Sequence, residues 1–74
     1  MGTIKIMDGT GDTRLTWDAD NDDEVTAARK TFKELTGKGY AAFSMKKNGE
    51  PSVKVTEFDP WSEKIILVPP IQGG

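Results

Sequence analysis

The sequence predicts an α+β domain in which one sheet packs against one helix, and three observations carry that prediction. The chain has 74 residues, enough for one core and too few for two, so a two-layer design suits it. Short runs of alternating apolar and polar residues stand on both sides of a single helical stripe. Near the end comes an unbroken, largely β-branched run, Ile65-Ile66-Leu67-Val68, of the kind found in strands buried on both faces.

Thr3-Ile4-Lys5-Ile6-Met7 alternates and reads as a first strand with Ile4 and Ile6 inward. Asp8 to Asp12 reads as a turn, with glycines that can take positive φ. Thr13 to Trp17 alternates again and places Leu15 and Trp17 on one face. Asn21 is an N-cap, and Glu24 three residues later completes a capping box. The helix is expected from about Asp22 to Thr36, with Val25, Ala28, Phe32 and Leu35 on one stripe and Gly37 ending it in a left-handed turn.

Tyr40 to Met45 reads as the third strand. Asn48-Gly49 then marks a hairpin turn. Val53 to Phe58 reads as an edge strand, with Pro51 near its start, where the missing N–H matters least. Asp59-Pro60 opens a loop containing Trp61 and Ser62, and Ile65–Val68 is the last strand. Of the two tryptophans, Trp17 fits the buried face, and Trp61 is expected to lie across an end of the core.

Composition excludes several function classes. Hydrophobic residues make up 35% and charged residues 30%, and there are no cysteines and no histidines. Disulfides, thiolate metal sites, cysteine nucleophiles, histidine bases and histidine ligands are therefore absent. The net charge of −2 argues against a nucleic-acid partner. No apolar run reaches the length of a membrane span, and no apolar signal segment opens the chain. No membrane partner is expected, and a cytoplasmic location is the default. Asp18, Asp20 and Asp22 match the first ligand spacings of a calcium loop. The glycine that such a loop needs is Asp23 here, and its closing glutamate is Arg29, so helix capping explains the acids better. Ser44 and Ser62 have no histidine to activate them. Gly9-Thr10-Gly11 lacks the rest of a dinucleotide fingerprint. The chain reads as a protein that is bound or acted upon, and not as an enzyme.

The final segment is Leu67-Val68-Pro69-Pro70-Ile71-Gln72-Gly73-Gly74. Pro69 and Pro70 fix φ and offer no N–H, so strand pairing stops there. Residues 1–68 form the expected domain and 69–74 a flexible C-terminal Gly-Gly tail.

The element order, with this ending, resembles the β-grasp fold of ubiquitin and the small sulfur-carrier proteins. The Pro-Pro-x-x-Gly-Gly ending is most similar to the MoaD-like subunits of molybdopterin synthase. The resemblance implies a single β-grasp (ubiquitin-like) domain: a mixed sheet of four to five strands, one helix across one face, and the last strand central and parallel to the first. It also implies a carrier or modifier. A separate activating enzyme, holding ATP and Mg, would adenylate the Gly74 carboxylate. The product would serve as a thiocarboxylate sulfur carrier or be conjugated to a target. Gly73 gives access, and Ile71, Gln72, Pro70 and Pro69 form the partner-binding tail. The chain itself binds no cofactor or metal. Its implied partners are the adenylating enzyme and a larger synthase subunit or conjugation target. The alternative is a non-conjugated β-grasp interaction module with incidental terminal glycines.

Overall fold

The computed structural model describes residues 1–8, 11–47 and 49–70, with Asp12 described by its backbone alone. Five strands and one helix follow the order β1 (Gly2–Asp8), β2 (Gly11–Trp17), α1 (Asp22–Gly37), β3 (Ala41–Met45), β4 (Val53–Val55) and β5 (Lys64–Val68). The sheet order is β2-β1-β5-β3-β4. β5 runs parallel to β1, with Ile4 opposite Ile65, and antiparallel to β3, with Phe43 opposite Ile66. The strand of highest apolar content is thus central, and the helix packs across one face: a small, mixed-sheet, β-grasp-like α+β fold.

Alternation sorts the side chains. Ile4, Trp17, Ala42, Ile65 and Leu67 point to the helix side and join Ala28 and Phe32 of α1 in the buried core. Only this side of β5 is fully buried. Ile66 and Val68, on the opposite face, are half-buried, which corrects the expectation of a strand covered on both faces. No element of the described chain packs over that second face.

The helix begins where the capping residues place it. The Asn21 side chain accepts hydrogen bonds from the backbone N–H groups of Asp23 (3.1 Å) and Glu24 (3.2 Å). The reciprocal half of a capping box is displaced: Glu24 Oε1 accepts from the Asp18 N–H at 2.8 Å, while the Asn21 N–H goes to the Asp18 carbonyl. The helix ends in a Schellman motif. Tyr40 N–H reaches the Leu35 carbonyl, and Gly39 N–H reaches that of Thr36. Gly39, with φ of 101°, is the left-handed residue. Gly37 is the last helical residue, so the left-handed turn lies two residues later than the sequence placed it.

β4 is shorter than expected. It stops at Val55, and the chain leaves the sheet over Thr56 and Glu57. The reason is Phe58, whose ring lies 5.0 Å from that of Trp17 and 6.0 Å from that of Phe32. Bringing that ring under the helix draws the chain off the edge of the sheet. The hairpin turn before β4 closes through Glu50 N–H to the Lys47 carbonyl, and Gly49 has φ of 91°. Asn48 lies outside the described residues.

Candidate functional site

The sequence directs attention to the segment that follows β5. Its root is the pair Val68–Ala41, the last rung between β5 and β3. Pro69 is half-buried and Pro70 exposed. The Pro70 ring sits beside Gly39, where an added Cβ would meet ring carbons at 3.5 Å. The segment therefore starts against the turn that ends α1, and has not left the body at Pro69 or Pro70. The expected reacting residues Gly74 and Gly73, with Ile71 and Gln72, lie outside the described residues.

The far end of β5 is built differently. Trp17 Nε1 donates to the Pro60 carbonyl at 2.9 Å. Asp59 Oδ1 accepts the Trp61 N–H at 2.9 Å, and the other Asp59 carboxylate oxygen pairs with the Lys46 ammonium. Ser62 N–H goes to the Asp59 carbonyl, Glu63 N–H to Met45, and Thr3 N–H to Glu63. The Lys46 hydrogen bond, and then that of the Trp61 N–H, hold the Asp59 carboxyl below its usual pKa. This turn closes the core with Pro60 and Ser62 and leaves Trp61 69% exposed. That corrects the expectation that Trp61 lies across an end of the core. Ser62 is buried, and its hydroxyl has no hydrogen-bond partner among the described residues.

Clefts open on the described surface. One of about 250 Å³ is lined by Thr3, Lys5, Arg14, Glu63 and Lys64. Another, of about 440 Å³, runs between α1 and the β4–β5 connection and is lined by Arg29, Phe32, Lys33, Thr56, Glu57 and Phe58. In the second, the Arg29 guanidinium sits 5.7 Å from the Phe58 ring centre, a cation–π contact that occupies its wall. No group of three or more metal-ligating acids, histidines or cysteines exists among the described residues. Asp18 uses a carboxylate oxygen to accept the Asp20 N–H at 2.9 Å, in keeping with a loop that caps the helix.

Sequence reasoning did not single out the charged residues of the uncovered sheet face. Their signal was available: Lys5, Arg14, Lys54 and Lys64 each occupy the polar phase of a strand, opposite the core positions. No family model, curated protein or solved structure matches the chain.

Proposed function

We infer that this protein is a carrier or modifier that reacts through Gly74. The reading is supported above all by what β5 leads into. A central strand, parallel to β1 and paired on both sides, ends at Val68 and passes straight into Pro69-Pro70-Ile71-Gln72-Gly73-Gly74. The two prolines end strand pairing because they have no N–H to give. Glycines at 73 and 74 carry no side chains, so a carboxylate there fits a narrow channel.

The chemistry belongs to a separate activating enzyme that holds Mg-ATP. The Gly74 carboxylate attacks the α-phosphorus, pyrophosphate leaves, and an acyl-adenylate forms. A sulfur nucleophile then displaces AMP. Depending on that nucleophile, the product is a thiocarboxylate or a thioester on the way to an isopeptide. The paired prolines favour the sulfur-carrier branch by resemblance to the MoaD-like ending. Ile71 supplies an apolar anchor for the segment in its partner.

The test is ATP–pyrophosphate exchange with candidate adenylating enzymes, comparing the wild type with a deletion of Gly73 and Gly74. Intact mass first establishes that Gly74 bears the free carboxylate. Exchange is expected with the wild type and not with the deletion, at nearly equal melting temperatures, since the described buried core ends at Leu67. Equal exchange by both proteins removes the mechanism and leaves the interaction module.

A further inference from the structure

We propose that the uncovered face of the sheet is a docking surface for a protein segment that presents an apolar side chain flanked by carboxylates. The strand registers set one continuous row across this face. Arg14 lies opposite Lys5, Lys5 opposite Ile66, Ile66 opposite Phe43, and Phe43 opposite Lys54. Four interstrand spacings of about 4.8 Å make this row roughly 19 Å long. Its middle is apolar and half-buried, extended by the adjacent pair Ala41–Val68 and by Met45. Its two ends are cationic, and Lys64 adds a third exposed cation in the neighbouring row beside Met45. An apolar centre inside a charged rim is the anatomy of a protein interface.

Charge identifies the partner. The whole chain carries −2, yet the described charged side chains of the strands on this face are Lys5, Arg14, Lys54 and Lys64. Five of the chain's acids lie between Asp18 and Glu24 at the start of the helix. Arg14, Lys54 and Lys64 make no ion pair among the described residues. The cleft beside Thr3, walled by Lys5, Arg14 and Lys64 and bordered by Glu63, gives one corner of the face a recess for a carboxylate.

Two other occupants fit less well. Single-stranded nucleic acid stacks bases on aromatic platforms. Phe43 is the one aromatic among the described strand residues of this face, it has an aliphatic neighbour in Ile66, and the chain is net acidic. A second copy could offer its acidic helix start, but the large apolar residue there, Val25, packs on its own core, and Ala19 is too small to fill the apolar centre.

The proposal does not depend on the reactivity of Gly74, and its test reads binding alone. The probe is a synthetic six-residue peptide with two central leucines and two glutamates on each side. Its control has glutamine in place of glutamate. Amide chemical shifts of the full chain are followed during titration. Shifts are expected at Arg14, Phe43, Lys54 and Ile66, with affinity at least about tenfold above the control and falling with added salt. The double reversal Arg14→Glu with Lys54→Glu should lower that affinity about tenfold or more and leave the melting temperature unchanged. The neutral pair Arg14→Gln with Lys54→Gln should fall between. Equal affinity for the two peptides, shifts centred on α1, tighter binding of oligothymidylate at the same face, or concentration-dependent self-association through it would each overturn the proposal.

Discussion

Gly2 sits opposite Trp17 in the β1–β2 register, and the indole lies directly over it. A Cβ built on Gly2 falls 2.1 Å from Trp17 Cζ2 and 2.4 Å from Cε2. Ordinary contact begins near 3.4 Å, so Gly2→Ala demands about 3.4 − 2.1 = 1.3 Å of movement. The indole has nowhere to go. It is wholly buried, its N–H is bonded to Pro60 at 2.9 Å, and the Phe58 ring stands 5.0 Å away. Overpacking of this kind costs about 1–3 kcal/mol, and loss of the indole hydrogen bond adds about 1 kcal/mol. Alanine returns roughly 0.5–1 kcal/mol by restricting the unfolded chain. The net is a destabilisation of about 2 kcal/mol, which for a domain this small lowers Tm by roughly 8–16 °C. Urea melts followed by tryptophan fluorescence measure it. On a Trp17→Phe background, which removes the clashing half of the indole, the cost of Gly2→Ala should shrink by at least about 1 kcal/mol. A loss below about 0.5 kcal/mol in the wild-type background would mean that residues 1 and 2 peel away freely, and the packing argument would fail.

Two further outcomes rest on the Asp59–Ser62 turn. Ser62→Ala should be neutral or stabilise by up to about 1 kcal/mol, because the buried hydroxyl has no partner among the described residues to lose; a loss above about 1 kcal/mol in denaturant melts would show that the hydroxyl is bonded in solution. Asp59 has its folded-state pKa lowered by Lys46, so its contribution is fully present above the unfolded-state value near 3.9 and is lost as pH falls through the lower folded value. For a pair this exposed the effect is about 0.5–1 kcal/mol. Asp59→Asn should therefore cost that much at pH 7 and almost nothing at pH 2, and a difference independent of pH would refute the ion-pair account.

The parts of the fold legible in the sequence are those where local pattern and tertiary demand agree. Ile4 and Ile6, Leu15 and Trp17, and the Val25–Ala28–Phe32–Leu35 stripe all face the core or its margin. Ala41 and Ala42 are weak strand formers in isolation, yet they pair with Val68 and Leu67, and pairing with a buried neighbour decides the matter. The failures have a common cause in competition between neighbours for one buried place. Phe58 and Trp61 lie three residues apart in a loop, and the sequence does not rank them. Phe58 enters the core, and the Asp59 side chain then fixes the next turn so that Trp61 points outward. Gly37 and Gly39 compete in the same way for the left-handed site, and Tyr40, which must reach back to Leu35, settles it for Gly39. The candidate site was legible only as a segment, because Pro69 and Pro70 state where pairing ends and say nothing of what they rest on.

The two proposed activities use different parts of the sheet, and that makes them separable. β5 presents Ile65 and Leu67 to the core and Ile66 and Val68 to the open face, then continues into the segment proposed to react. Substituting its residues therefore disturbs packing, docking and the path of the tail together. The cations that set the charge of the open face are held mostly elsewhere: Arg14 on the edge strand β2 and Lys54 on the edge strand β4. Edge positions with exposed side chains tolerate charge reversal at little cost to the fold. A protein bearing both reversals keeps Gly73 and Gly74 intact, and one lacking the two glycines keeps the whole row from Arg14 to Lys54. Loss of exchange in the second protein but not the first assigns adenylation to the tail alone. Loss in both means that the activating enzyme is itself the acidic partner that reads the open face.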